Sequence, residues 1–334
     1  MIYVHVPFCR SFCTYCGFYS ERACPTEAWA DEVCREAEAR RDEIKAASAV
    51  DTLYFGGGTP SVLPPSFFGR IADACGGRSY CEWTVEVNPD DITPSYAAEL
   101  RALGVNRVSM GVQSLDDGIL RWMNRRHSAD GARSAFRMLR EAGFDNISVD
   151  VIFGVAGMTA AVLESTVREL LEWRPEHISA YQLSVEEGSA LARLIAAGKL
   201  QEASEEQCRR QYALLCAKLS EAGYRHYEIS NWAIPGHEAR HNSAYWTRHP
   251  YVGLGPSAHS LGITADGKQR RSWNSSSVSG WKEEGAEVLS EEEIREERIM
   301  LGLRTDAGAE VDGRHVVIPE SDWFVSDEII AGLL

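Results

Sequence analysis

Three cysteines in one loop, Cys9, Cys13 and Cys16, constrain this chain more than any other feature. Their spacing is C-x3-C-x2-C, and they follow directly on an apolar, strand-like run, Ile2-Tyr3-Val4-His5-Val6, which Pro7 ends. Thiolates are soft ligands that select zinc, copper or iron–sulfur clusters over hard cations. A structural zinc ion normally takes four protein ligands, usually as two separated pairs. Three thiols packed into one loop suit instead a cubane [4Fe-4S] cluster, with three irons held by cysteine and one left open. An open iron can bind a small molecule through amine and carboxylate groups. The competing readings are a chance cluster of cysteines or a zinc knuckle.

The rest of the first half alternates strand and helix patterns. A helical stretch at 25–47, with Thr26 as its N-cap, leads to a buried strand at 50–55. That strand runs into Gly56-Gly57-Gly58-Thr59-Pro60-Ser61, where glycines let backbone groups approach a ligand closely. Further strands are expected at 81–87, 106–114, 146–153 and 177–184, with helices between them at 65–74, 96–103, 116–123, 129–141 and 160–173. Six such alternations predict a parallel sheet with right-handed crossovers. Polar residues recur on or after each strand: Cys9, Gly56, Glu86, Gln113, Asp150 and Gln182. In barrel-like α/β folds that edge is the active face. Asp150 fits least well, because it sits mid-strand and has the alternative of pointing into the barrel interior.

The alternation stops near residue 190, so the chain divides into a barrel-like part, 1–190, and a smaller α+β region, 191–334, with no flexible tether between them. The second part is expected to hold a helix at 205–222 closed by Gly223 and a short strand at 224–229. An aperiodic stretch at 236–260, rich in His, Tyr, Trp and Gly, follows, and then a hairpin turn at Asp266-Gly267. Helices are expected at 277–284 and 291–303, and a terminal one at 326–334 capped by Ser326. The formal net charge of -15 repels phosphates, which argues against nucleic acid as a partner and gives no general attraction to anionic lipid. No apolar run is long enough to span a bilayer, and Cys9 and Cys13 occupy the place of a signal peptide's apolar core. Nine cysteines, an odd number in no regular framework, read as reduced thiols. Together these predict a cytoplasmic protein.

The cysteine loop, with Tyr15 just before its third cysteine, resembles the signature of the radical SAM superfamily, and Gly56-Gly57-Gly58-Thr59-Pro60 resembles that superfamily's amine-binding segment. The resemblance implies a partial (β/α)6 barrel, a [4Fe-4S] cluster on Cys9, Cys13 and Cys16, and S-adenosylmethionine at the open iron. It also implies that Gly57, Gly58 and Thr59 contact the methionyl amine. Glu86, Gln113, Arg125 and Asp150 would lie around the methionine carboxylate and ribose. A guanidinium matches a carboxylate bidentately, although Arg126 competes with Arg125 for that place.

More specific strings, Tyr3-Val4-His5-Val6-Pro7-Phe8-Cys9, Tyr227-Glu228-Ile229-Ser230-Asn231 and Gly253-Leu254-Gly255-Pro256-Ser257-Ala258-His259-Ser260, resemble the family of oxygen-independent coproporphyrinogen III oxidases. The likeness runs from residue 2 to about 305. The true oxidases carry a fourth cysteine where this chain has Phe18, and an extension before the first strand that this sequence lacks. The heme-chaperone branch of the family lacks both and has a His-Asn-x-x-Tyr-Trp string, here His241-Asn242-Ser243-Ala244-Tyr245-Trp246. That branch implies heme or a related tetrapyrrole held by His241, Tyr245 and Trp246, a heme-accepting apoprotein associated with a membrane, and a homodimer promoted by heme. Imidazole is a natural heme ligand and the two aromatics offer flat faces, but a hydrogen-bonded core histidine is the plainer alternative, and His237, His249 and His259 compete. The second function considered is oxidative decarboxylation of coproporphyrinogen propionates. No catalytic residue is assigned. The part after about residue 305 is shorter than is usual for the family.

Overall fold

The computed structural model describes residues 1–77 and 79–334. Its first half runs β1 (Ile2–Val6), α1 (Glu27–Ala39), α2 (Arg41–Ala46), β2 (Thr52–Gly57), α3 (Pro65–Ala74), β3 (Glu82–Val87), α4 (Pro94–Leu103), β4 (Arg107–Gln113), α5 (Asp117–Trp122), α6 (Ala129–Glu141), β5 (Ile147–Phe153), α7 (Ala160–Trp173) and β6 (His177–Gln182). The helix starts follow local chemistry: Thr26, Thr93, Asp116, Ser128 and Thr159 each accept a backbone N–H with the side chain. Gly104, at φ 108°, ends α4 in the left-handed conformation that glycine adopts without strain. The single helix expected over 25–47 is two, because Arg40 leaves helical geometry with ψ 22° and its guanidinium bonds the Gly253 carbonyl 213 residues away.

The second half runs α8 (Ala190–Ala196), α9 (Glu205–Glu221), β7 (Arg225–Glu228), β8 (Asn231–Ala233), α10 (Arg240–Trp246), β9 (Val252–Leu254), β10 (His259–Ile263), β11 (Gln269–Asn274), β12 (Glu283–Val288), α11 (Glu291–Gly302), β13 (Ala309–Val311), β14 (Arg314–Val316) and α12 (Ser326–Ala331). Two expectations fail here. Residues 277–284 form no helix: Gly280 takes a φ of 63°, the Trp281 indole donates to Glu36, and β12 pairs with β11. Those serines carry no helical apolar stripe, so sheet pairing and the buried indole decide the conformation. Ser326 does not cap α12. It lies inside the helix with αR geometry, and its hydroxyl is buried without a partner.

One nine-stranded sheet organises the molecule, in the order β7-β8-β6-β5-β4-β3-β2-β1-β9. Strands β1 to β6 are parallel and adjacent in chain order, as expected of a singly wound α/β fold that stays open at its ends. Three strands from beyond residue 190 extend it. β9 runs parallel beside β1, while β8 and then β7 add antiparallel at β6. A second sheet, β10-β11-β12, stands against β9. Gly253 in β9 permits this, since a Cβ there would lie 2.0 Å from the His259 carbonyl oxygen.

The two faces of the main sheet differ. Leu53, Phe55, Val85, Val108, Met110, Val149, Val151 and Ile178 belong to the apolar core. The alternate positions, among them Tyr54, Glu86, Ser109, Asp150 and Tyr181, line a cavity instead. Side chains of a strand alternate between faces, so the even spacing of these polar residues follows from the pleat. No helix among the described residues is long and apolar enough to cross a membrane.

One carboxylate joins the two halves. Glu36 on α1 accepts from the Gly255 amide at 2.9 Å, the Asn274 amide nitrogen at 2.8 Å and the Trp281 indole at 2.7 Å. Glu36→Ala strands three donors in a mostly buried place and is expected to lower unfolding stability by about 3 kcal/mol, with Glu36→Gln losing less. Urea unfolding of the two variants checks this.

Candidate cluster and cofactor cavity

The cysteine loop is anchored at several points. The Glu21 amide donates to the Pro7 carbonyl at 2.6 Å and the Cys9 amide to the Glu21 carbonyl at 3.0 Å, which closes the loop on itself. The Thr14 amide donates to the Met123 carbonyl, the Leu191 amide to the Thr14 carbonyl, and the Asn124 side chain to the Phe12 carbonyl. The ends of α5 and α8 therefore hold the loop over the C-terminal edge of the sheet. Cys9, Cys13 and Cys16 are all unpaired thiols. Cys9 Sγ lies 3.3 Å from Thr59 Oγ1, and the Arg125 guanidinium points at Cys13 Sγ from 3.5 Å.

Beside them β2 ends in the glycine turn. The Gly58 amide donates to the Val6 carbonyl at 2.8 Å. A Cβ at Gly57, where φ is 106°, would meet the His5 ring at 2.6 Å, and one at Gly58 would meet the Phe8 carbonyl oxygen at 2.8 Å. Only glycine lets this backbone pass so close to β1 and still present its polar groups to the cavity.

Gln113 closes β4 in a left-handed conformation, φ 65°, where the β4–β5 register slips between Gly111 and Gln113. The strained turn buries its side chain, and its Oε1 has no hydrogen-bond partner. The two neighbouring arginines both line the cavity but differ in their partners. Arg126 is engaged with Asp91, whereas Arg125 donates to the Gly111 carbonyl at 2.7 Å and reaches Cys13, with its Nε left unpartnered.

Glu86 and Asp150 both face inward from mid-sheet. The Tyr54 hydroxyl donates to Glu86 at 2.7 Å, and Ser109 donates to Asp150 at 3.1 Å. Burial pushes the Glu86 carboxyl up to about 7 against the Tyr54 hydrogen bond, and the charge of Asp150 adds to the rise. Burial likewise raises Asp150, offset by Ser109 and Ser179. Asp150 thus points into the barrel interior and is part of the cavity at the same time. Sequence reading misses Tyr54, Arg107, Ser109 and Tyr181, which also line the cavity. Arg107 opens β4 next to Asn106, where a charge reads as a solvated strand end, yet it is only 1% exposed.

The three cysteines and all seven residues named for the cofactor, Gly57, Gly58, Thr59, Glu86, Gln113, Arg125 and Asp150, line one cavity of about 630 Å³. Three free thiols on one rigid loop, a glycine cradle that a Cβ would fill and unpartnered polar atoms on Gln113 and Arg125 fit a [4Fe-4S] cluster with an amino-acid-bearing cofactor at its open iron.

A second pocket of about 450 Å³ adjoins it, sharing Tyr54, Glu86, Tyr181 and Asn242, and is lined further by His241, Tyr245 and Trp246. His241 is 1% exposed. Its Nδ1 is 2.8 Å from Thr52 Oγ1, its Nε2 is 3.2 Å from the Tyr245 hydroxyl, and its ring stacks on Tyr54 with centroids 4.9 Å apart. Burial, with the N-terminal ammonium and Arg107 nearby, pulls its pKa down to about 3, so the ring is neutral. Of the competing histidines, His237 is half-buried and His249 and His259 are exposed. Phe18, at the position of the family's fourth cysteine, is 73% exposed at the cavity mouth.

An open α/β sheet with a three-thiol loop at its C-terminal edge defines a protein of the radical SAM class, and comparison with known proteins agrees. The description "Radical SAM superfamily" matches residues 3–170. The heme chaperone HemW of Bacillus subtilis is 32% identical over 92% of this chain and 83% of its own length. HemW of Mycobacterium tuberculosis is 34% identical over 88% and 80%. The solved coproporphyrinogen III oxidase HemN of Escherichia coli superposes with a TM-score of 0.72 over 91% of this chain and 75% of its own, at 22% identity, a likeness of fold. The chain belongs to the radical SAM superfamily and, within it, to the coproporphyrinogen III oxidase-like family on the side of HemW.

The raised Glu86 carboxyl has a consequence for stability. Its folded-state pKa, about 7, lies above the ordinary 4.5, so the folded chain holds this proton more tightly than the unfolded one. The ionised group therefore penalises folding increasingly as pH rises from 4.5 to 7, and fully above it. Glu86→Gln is expected to stabilise the cofactor-free chain at pH 8 and to make no difference below pH 4.5, read as the Tm difference from wild type across that range.

Proposed function

We propose that this protein is a heme chaperone on a radical SAM scaffold, which holds a [4Fe-4S] cluster, S-adenosylmethionine and heme and passes the heme to an acceptor protein. The observation that carries the reading is the HemW similarity along nine-tenths of the chain, joined to a second pocket that opens from the cluster cavity. Cys9, Cys13 and Cys16 hold the cluster. A bound cluster with one open iron supplies an anchor for the cofactor's amine and carboxylate and, when reduced, one electron. The chain's own residues orient the cofactor. Backbone groups of Gly57 and Gly58, with Thr59, face the amine, and Arg125 faces the carboxylate. Gln113, Glu86 and Asp150 receive the polar edge of the ribose.

On this reading the adjoining pocket would take heme, His241 would hold its iron, and Tyr245 and Trp246 would supply aromatic faces. Thr52 fixes the imidazole through Nδ1, the usual office of a partner to a metal-ligating histidine, and the low pKa keeps the ring in the neutral, ligating form. Nε2 becomes available to iron when the Tyr245 hydroxyl moves off it. On the same reading the acceptor would be a membrane-associated apoprotein, and heme would promote a homodimer.

An anaerobic heme titration of the cluster-loaded protein, followed by its Soret band, tests the proposal. We expect saturable binding in wild type and Kd raised about tenfold or more in His241→Ala. Absence of saturable binding in wild type overturns the chaperone reading. Binding indifferent to His241→Ala moves the ligand elsewhere. Decarboxylated product from coproporphyrinogen III under reducing, anaerobic conditions would establish the oxidase activity instead.

A further inference from the structure

Away from both pockets, Cys216 on α9, His226 on β7 and Glu320 in the turn Glu320–Val325 converge. One sulfur, one imidazole nitrogen and one carboxylate oxygen all lie within 4.8 Å of one another. Four-coordinate zinc, with bonds of about 2.0 Å to nitrogen or oxygen and 2.3 Å to sulfur, holds its ligand atoms about 3–4 Å apart, so small side-chain rotations bring these three to an ion. The imidazole is already set in place. It stacks on Trp232 with centroids 3.9 Å apart and 14° between planes, and Trp323 packs edge-on at 4.3 Å. Its Nδ1 is 2.6 Å from Glu320 Oε1, and its Nε2 is buried with no hydrogen-bond partner. Glu320 is half exposed, which leaves an entry path.

We propose that Cys216, His226 and Glu320 form a binding site for a borderline-soft divalent cation, zinc foremost, with water as the fourth ligand. A thiol, an imidazole and one carboxylate suit zinc over magnesium or calcium, which prefer all-oxygen sets. Binding releases the Cys216 proton, which burial and the Glu320 charge otherwise hold on the sulfur. The three donors come from three separate elements, and β7 is the outermost strand of the main sheet. A bound ion ties the turn carrying Trp323 and Phe324, and α12 after it, to this outermost strand, whose far edge already bonds the 304–306 segment through Glu228 opposite Thr305 and the Asp306 amide on the Tyr227 carbonyl.

The test uses the full chain with its cluster loaded, freed of loose metal by chelator and titrated with Co²⁺ as the optical probe. One equivalent is expected to give a thiolate-to-cobalt charge-transfer band that Zn²⁺ displaces. Cys216→Ser should abolish the band, and Glu320→Gln should weaken binding about tenfold or more. Zn²⁺ should raise the Tm of wild type, raise that of Glu320→Gln by less and leave Cys216→Ser unmoved. Glu320→Gln changes a half-exposed side chain, so it keeps the fold and carries the test even where Cys216→Ser does not. No charge-transfer band in wild type, a band that survives Cys216→Ser, or a wild-type Tm indifferent to Zn²⁺ overturns the proposal.

Discussion

The Glu82 carboxylate, buried at the start of β3, accepts hydrogen bonds from the Arg240 amide at 2.8 Å and the His241 amide at 2.9 Å. It thereby satisfies the N-terminus of α10, whose own N-cap, Ala239, has no side chain to do so. An anion at a helix N-terminus is stabilised by the free N–H groups and by the helix dipole together. Glu82 also supplies the largest charge attraction felt by the buried Arg107 guanidinium. One inward carboxylate therefore fixes the segment holding His241 against the N-terminal side of the sheet and helps to balance the buried Arg107 cation. Replacing it would leave two buried amides without an acceptor and take from Arg107 the largest of its charge attractions, in a place that water does not reach, which is the costly kind of loss.

The polar lining follows from what the open sheet has to enclose. Parallel sheets covered by helices on both faces usually read as unbroken apolar runs. Here the outer face is apolar and packs on helices, but the inner face carries Tyr54, Glu86, Ser109, Asp150, Ser179 and Tyr181 around a cavity. Each inward group needs a partner, and most are arranged in pairs across neighbouring strands: Tyr54 with Glu86, Ser109 with Asp150, Ser148 with His177. Two carboxylates, Glu86 and Asp150, are held in a low-dielectric space where the charged form is disfavoured. Such a site stores unfavourable electrostatics that a cationic guest relieves, and stability is given up for function in this way at many binding sites.

Much of the fold is legible in the chain because its signals are local. The capping residues Thr26, Ser128 and Thr159, the closing glycines 104 and 223, and the period-two polar residues each act within a few positions of where they stand. What escapes is set by distant partners. β9 is only three residues long, and nothing in Val252-Gly253-Leu254 says that it lies parallel to β1. The break at Arg40 depends on the Gly253 carbonyl, and the loss of the helix at 277–284 depends on Glu36 reaching Trp281. The cavity follows the same division. The cysteines, the glycines and the strand-end polar residues declare themselves, whereas Arg107 does not, because its role rests on Glu82 from another strand. Arg125 and Arg126 are adjacent and chemically alike, and distant partners distinguish them: Asp91, from the turn after β3, for Arg126, and Gly111 and Cys13 for Arg125.

His241 shows how the same geometry serves two states on the proposed reading. With both ring nitrogens engaged, the imidazole is a satisfied core residue, and the segment is stable without heme. The two bonds differ in what breaking them entails. Thr52 sits on a central strand, and losing that contact would leave a buried donor or acceptor unpaired at about 1–3 kcal/mol. Tyr245 lies on the same short helix as His241, in the last turn before the chain leaves α10, and it also lines the adjoining pocket. Its hydroxyl can exchange the imidazole for water or for a guest at the net value of one hydrogen bond, about 1 kcal/mol. The opening that frees Nε2 therefore lies within reach of thermal populations, and any guest that ligates there draws on that open fraction, its apparent affinity scaled by it. Thr52 keeps the ring oriented throughout, so the closed and open forms differ by a side-chain movement and not by a rearrangement of the sheet.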